Sequence, residues 1–210
     1  MNRVKFAVSP DIKVGGRHFS PADLALMAEA AGESAEIELT TLQQLIVEVD
    51  EDRFVQAKDA LREQGLRVYE VGMVVKNLAV CNFCKGAEVE GLDAARALDV
   101  AIAGQPVPFP MRVGYSGCPN ACGESLSKDI GVVKVKDLFF VYVGGETKTL
   151  RATAGELLAD NISEESLPHV VNRIVDIYRE NGKKRERFSH FVRRYSVSAL
   201  RERVFPSQTI

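Results

Sequence analysis

No run of apolar residues in this 210-residue chain approaches the roughly 18 needed to cross a bilayer, so no transmembrane helix is expected. The start, "MNRVKFAVSPDIKVGG", lacks both the apolar stretch of about 7–15 residues and the small-residue cleavage site of a secretory signal, and a cytoplasmic location is expected. Glycine pairs at Gly15–Gly16 and Gly144–Gly145 are isolated and never form G-x-G-x-x-G after a strand, which argues against a dinucleotide site. There is no repeat with a period of 20–50 residues and no low-complexity segment. His18, His169 and His190 show no ligand spacing among themselves. The formal net charge is only −2, and no RNA or DNA motif accompanies the basic residues, so nucleic acid is not an expected partner. Cysteine is scarce too: the chain has 4, all of them in two close pairs.

What is present describes a folded globular chain, 46% hydrophobic and 27% charged, long enough for one large domain or two small ones. Charge is concentrated locally. Residues 183–204, "KKRERFSHFVRRYSVSALRERV", carry eight Lys or Arg against two Glu, as expected of a solvated helical face or of a surface for an anion.

The first 72 residues parse as β-α-β-β-α-β. "VKFAVS" (Val4 to Ser9) reads as a strand. A helix follows with Ser20 as N-cap, Pro21 in the first turn, Asp23 completing a capping box and Gly32 as the stop. "AEIELTT" and "QLIVEV" alternate as strands. Asp50 then caps a helix whose Phe54, Ala57 and Leu61 share one face, Gly65 ends it, and "LRVYEVG" closes the unit. That order predicts a ferredoxin-like half-domain over 1–72. Over 73–210, "LDAARALDVAIAG" reads as a helix among the β-rich runs "MRVGYS", "IGVVKV" and "LFFVYVGG", before the amphipathic "LPHVVNRIVDIYRENG" opens a helical C-terminal tail. The fold class is therefore α+β, a ferredoxin-like half-domain followed by an α/β domain.

The cysteines form a C-x2-C pair, Cys81 and Cys84, and a C-x3-C pair, Cys118 and Cys122. Asn82 and Gly86 flank the first, Gly117, Pro119 and Gly123 the second, so both sit in loops where freed backbone N–H groups can face sulfur. In a reducing compartment such pairs bind metal or do redox chemistry more often than they form disulfides. Four thiolates suit a structural zinc ion or an iron–sulfur cluster; a zinc ribbon's knuckles stand about 15–20 residues apart, and the gap here is roughly twice that, which favours a cluster.

The surrounding residues narrow the choice. "PFPMRVGYSGCPNACGESLSKDIGVV" resembles the S-G-C-P-N-x-C and D-I-G segment of the sirohaem-dependent sulfite and nitrite reductases. "VVKNLAVC" is similar to that family's basic-Asn approach to its first cluster cysteine, "IELTTLQQLIV" to its T-T-R-Q strand, and "YRENGKKRERFSHFVRR" to its closing G-x-x-x-E-R-F pattern. The chain looks like a compact, single-repeat type similar to small assimilatory-type sulfite reductase. The resemblance implies that Cys81, Cys84, Cys118 and Cys122 hold a [4Fe-4S] cluster and that Cys122 also bridges to sirohaem iron. It further implies that Lys76 and Arg112 meet the oxyanion, and that Asn77, Asn120, Thr41, Gln43 and Lys128 help hold the sirohaem. The implied activity is six-electron reduction of sulfite to sulfide or nitrite to ammonia, with electrons from an external ferredoxin or reductase subunit. Oligomeric state stays open.

The pattern departs from the family in four places. Leu42 stands where T-T-R-Q has its arginine, and the lysine pair before S-G-C-P-N has become Pro110 and Arg112. The first strand lacks an arginine near its end, for which Arg17 is the available substitute. The first cysteine pair encloses two residues where the family generally has five. These losses of charge leave an alternative of another class: an iron–sulfur electron-transfer or regulatory protein of the same fold that does not reduce these anions.

Overall fold

The computed structural model describes residues 2–148, 150 and 152–206; residues 207–210, the end of the expected helical tail, lie outside the described set. Strand β1 (Arg3–Ser9), helix α1 (Pro21–Ala31), β4 (Glu36–Leu39), β5 (Leu45–Asp50), α2 (Phe54–Glu63) and β6 (Arg67–Glu70) form the first layer pair, with a short hairpin of β2 (Ile12–Lys13) and β3 (Gly16–Arg17) between β1 and α1. The sheet order β4-β5-β1-β6 is antiparallel throughout, as the split β-α-β-β-α-β arrangement requires. Period-two alternation turns Leu45, Val47 and Val49 of β5 inward with Phe6 and Val8 of β1, where they pack on Met27, Ala57 and Leu61. Each of the Val, Leu, Phe and Met side chains contributes roughly 1.5–3 kcal/mol when fully buried.

Helix α1 begins as expected: the Asp23 amide donates to Ser20 Oγ at 3.1 Å, and the Ser20 amide donates to Asp23 Oδ2 at 2.8 Å. Helix α2 does not. Asp50 makes no cap, because it is still paired with Arg3 as the last residue of β5 and its carboxylate accepts the Ser34 hydroxyl at 2.9 Å. A 3-10 turn, Glu51–Arg53, leads into the helix instead.

The second sheet has the order β11-β10-β9-β8-β7. Here β7 (Ala79–Val80), β8 (Val113–Ser116) and β9 (Ile130–Val135) are parallel, and β10 (Leu138–Val143) and β11 (Glu156–Ile162) return antiparallel. Helix α3 (Leu92–Ile102) makes the crossover from β7 to β8 and packs on α4 (Leu167–Asn181), with α5 (Phe188–Tyr195) and α6 (Val197–Val204) completing that unit. All four residues of β8 are buried, which is why its sequence is not a simple apolar/polar alternation. Strand β11, "ELLADNI", was not legible as a strand: it lies at the sheet edge, its pairing with β10 shifts register, and Asn161 has a φ of 55°.

The two sheets carry separate apolar cores, with Ile12 of the β2–β3 hairpin inserted into the second. Between them, Asp99 of α3 is fully buried. It pairs with Arg17 at 2.5 Å and Arg67 at 2.8 Å, and accepts the Leu78 amide at 2.7 Å.

Candidate metal centre

Both cysteine pairs lie just past the carboxyl ends of neighbouring parallel strands: Cys81 follows β7, and Cys118 lies two residues beyond β8. Open α/β sheets place their ligand sites at such ends because the turns leaving them expose unpaired backbone groups. All four cysteines line one cavity of about 250 Å³, together with Gln43, Asn82, Phe83, Glu90 and Ser116. Among the described residues no three His, Cys, Asp or Glu side chains converge closely enough for a single metal ion. Four cysteines lining one cavity suit a multi-atom cluster, which takes one thiolate at each of its irons.

The first loop is held from several sides. Gln43 uses its side-chain amide as a false strand, accepting the Val80 amide and donating to the Val80 carbonyl, both at 3.0 Å. The Cys81 amide donates to the Tyr115 carbonyl at 3.1 Å, the Gly117 amide donates to Cys81 Sγ at 3.3 Å, and the Gly15 amide donates to the Asn82 carbonyl at 2.9 Å. An N–H aimed at sulfur stabilises the thiolate form that binds iron. Cys81 is buried and Cys118 half-buried, whereas Cys84 and Cys122 are exposed. The Glu90 carboxylate, 3.7 Å from Cys84 Sγ, pushes that thiol up from its ordinary value, with desolvation adding to the shift.

The S-G-C-P-N-x-C-G turn is built on close approach. A Cβ on Gly117 would lie 2.4 Å from Glu90 Cβ, and one on Gly123 would lie 2.3 Å from the Tyr115 carbonyl oxygen. Ser116 Oγ closes the turn by accepting the Gly123 amide at 3.0 Å. Phe83, Ala121 and Gln43 all have positive φ, of 51°, 52° and 56°. At roughly 1–2 kcal/mol apiece, such conformations persist only where the surroundings over-determine them.

A second feature adjoins the cysteines. Lys76, Arg112 and Lys148 lie close enough to shift one another: burial first, then mutual repulsion, pushes the Lys76 and Lys148 amines down, and burial lowers Arg112. None of the three forms a salt bridge among the described residues; the Arg112 amide donates to Asp129 Oδ2 at 2.8 Å. Asp129 is pushed up to about 6 by burial, against the opposing pull of the Arg112 amide and charge. A groove of about 520 Å³ lined by Ala121, Glu124, Leu126, Ser127 and Thr147 lies between the Cys122 loop and the Lys148 loop. Partly desolvated cations with only the Asp129 carboxylate close by, and no salt bridge among the described residues, suit a polycarboxylate macrocycle and an oxyanion; together with the cysteine cavity, the residues fit both expected groups.

Of the residues singled out from sequence, the four cysteines and Gln43 share the cavity, while Lys76 and Arg112 share the cation cluster. Asn77 is buried, donates to the Leu42 carbonyl at 2.9 Å and keeps an Oδ1 without a partner among the described residues. Lys128 is tied to Glu124 at 2.6 Å. Thr41 and Asn120 are exposed, with no side-chain hydrogen bond among the described residues. Arg17 does not supply the missing pocket cation, because its side chain is fully buried against Asp99 and the Leu78 carbonyl. The basic tail is largely occupied internally: Arg187 and Ser189 bind Glu146, Arg194 binds Glu186, and Arg201 binds the Leu157 and Leu158 carbonyls. Lys148, Asp129 and Glu90 were not singled out from sequence. Lys148 stands in no motif, and its only signal is a lysine shortly after Gly144–Gly145, the loop packed on the D-I-G turn.

A family described as the nitrite and sulphite reductase 4Fe-4S domain matches residues 73–208. Among curated proteins the chain is similar to the cobalt-factor III methyltransferase of Priestia megaterium, 27% identical over 188 residues that cover 90% of this chain and 34% of that protein. It is also similar to the assimilatory-type sulfite reductase of Nitratidesulfovibrio vulgaris, 33% identical over 130 residues, covering 60% of this chain and 56% of that one. The chain thus spans about a third of the first relative's length and just over half of the second's. Among solved structures, dissimilatory sulfite reductase I shares the fold with a TM-score of 0.75 at 13% identity, over 95% of this chain and 69% of that one.

Proposed function

This chain belongs to the nitrite and sulphite reductase 4Fe-4S domain family, whose cofactors are a [4Fe-4S] cluster and sirohaem, and we propose from this that it reduces sulfite to sulfide or nitrite to ammonia with six electrons from an external donor. The observation that carries the reading is the four-cysteine cavity together with a cluster of cations that forms no salt bridge among the described residues, the Cys122 loop and the Lys148 loop lining a common groove. Cys81, Cys84, Cys118 and Cys122 would hold the cluster, with Cys122, exposed toward solvent, as the thiolate shared with sirohaem. When bound, the two groups would relay the external donor's electrons and provide a metal for the oxyanion.

The protein's own residues have three tasks. Lys76, Arg112 and Lys148 attract the oxyanion and stabilise the charge that develops as its oxygens leave. Lys76 Nζ and Lys148 Nζ, lowered by burial and by neighbouring cations, give up a proton more readily than an ordinary lysine, as a donor to a departing oxygen must. Asn77, Asn120 and Thr41 offer polar atoms to the macrocycle, while Gln43 acts on the first cysteine loop and Lys128 is shared with Glu124. Residues 1–72 serve as a ferredoxin-like half-domain bracing the 73–210 unit. The donor is a ferredoxin or a reductase subunit, and the setting is the cytoplasm. Among the described residues no helix is long and apolar enough to cross a membrane.

A second reading has its own support. The relative matched over 90% of this chain is a methyltransferase, and Leu42 and Pro110 stand where reductase cations are expected. On that reading the chain passes electrons without reducing the anion. Anaerobically purified protein from a host that makes sirohaem separates the two. Soret and visible haem bands with about four non-haem irons and matching acid-labile sulfide, followed by sulfite- or nitrite-dependent oxidation of an artificial donor, support the reductase. Both cofactors without turnover favour electron transfer, and a colourless protein with one zinc refutes both.

A further inference from the structure

Glu90 is a buried carboxylate with no salt-bridge partner among the described residues. It is 1% exposed and forms part of the wall of the cysteine cavity. Its Oε1 accepts the Lys85 amide at 3.0 Å and lies 3.7 Å from Cys84 Sγ; its Oε2 has no hydrogen-bond partner among the described residues, and no salt bridge there reaches it. Its stem presses on the second cysteine loop at Gly117. A glutamine would accept the Lys85 N–H equally well, so loop shape alone does not call for a charge. A buried, unpaired carboxylate is costly, and its presence in this cavity needs another reason.

We propose that Glu90 sets the reduction potential of the cluster held by the four cysteines, lowering it through its fixed negative charge. Every electron that enters the cavity adds a negative charge beside one already there, and in a partly desolvated site that repulsion is only weakly screened. A lowered potential favours passing the electron onward over retaining it. The inference rests on the cysteine cavity holding the cluster, as proposed above.

The test is a dithionite titration of the intact, cluster-loaded protein followed by electron paramagnetic resonance, comparing wild type, Glu90→Gln and Glu90→Asp, with iron and sulfide assayed on each. The expected result is full cluster content in Glu90→Gln with an upward shift in potential, while Glu90→Asp, which keeps the charge, stays close to wild type. An unshifted Glu90→Gln with a full cluster overturns the proposal and leaves the cluster reading intact. Loss of the cluster from Glu90→Gln, whether or not Glu90→Asp retains it, shows that Glu90 serves assembly and also overturns it. Wild type without iron or sulfide overturns the cluster reading and this inference together.

Discussion

Asp129→Asn should flatten part of the pH dependence of stability. Burial holds the native carboxyl at about 6, against 3.8 for the free side chain. A group whose native pKa is raised binds its proton more tightly folded than unfolded, so its contribution is fully present below the unfolded value and is lost as pH rises through the folded one. With a pKa near 6 folded and near 3.8 unfolded, the wild type loses on the order of 1 kcal/mol between pH 5 and pH 7 from this residue alone. Asparagine can still accept the Arg112 amide through its side-chain oxygen, so the variant keeps the contact and loses the titration. Urea unfolding of both proteins at pH 5 and pH 7 isolates the effect, because other titrating groups cancel in the difference. The variant's stability relative to wild type should be higher at pH 7 by about that amount; a difference that is constant with pH, or larger at pH 5, refutes the argument.

Three other outcomes are expected. Cys122→Ser should disturb the haem spectrum as well as the cluster, whereas Cys81→Ser should mainly remove the cluster; equal haem changes in the two would rule out a shared thiolate at Cys122. Asp99→Asn leaves Arg17 buried without its charge partner and should cost about 3–5 kcal/mol in denaturant unfolding; a loss below about 1 kcal/mol would mean the ion pair is not a joint between the layers. Lys148→Gln should raise KM for sulfite or nitrite about fivefold, the equivalent of about 1 kcal/mol for a partly exposed cation, without changing the absorption spectrum; an unchanged KM would remove Lys148 from the anion site.

Much of the architecture was legible because local signals agreed with the tertiary structure. Ser20, Asp23 and Gly32 fix α1 by their own chemistry, and the alternation through Val47 and Val49 fixes the face of β5. Asp50 misled because a good capping residue was already used as a strand terminus, a choice made by Arg3 across the sheet. At the site, the cysteines were readable because thiolate spacing is a local property. The cation cluster was only half readable: Lys76 and Arg112 sit beside motifs, whereas Lys148 meets them through packing of the Gly144–Gly145 loop on the D-I-G turn. Gln43 was picked out as a cofactor residue and lines the cysteine cavity, but its bond to Val80, a contact between positions 37 apart, is one that no local pattern encodes.

That long-range clamp constrains how the molecule can be assembled. The peptide around Cys81 is gripped on one side by Gln43, Gly15 and Arg17 from the N-terminal layer, and on the other by Tyr115 and Asp99. The final shape of the loop therefore depends on the N-terminal layer being docked. Loading and docking are thermodynamically linked: whatever the thiolates bind favours the docked arrangement, and stripping it loosens the contacts at Val80 and Asn82 on either side of Cys81. Severing the chain near residue 72 would yield a C-terminal fragment that keeps every cysteine but lacks the grip that sets their spacing.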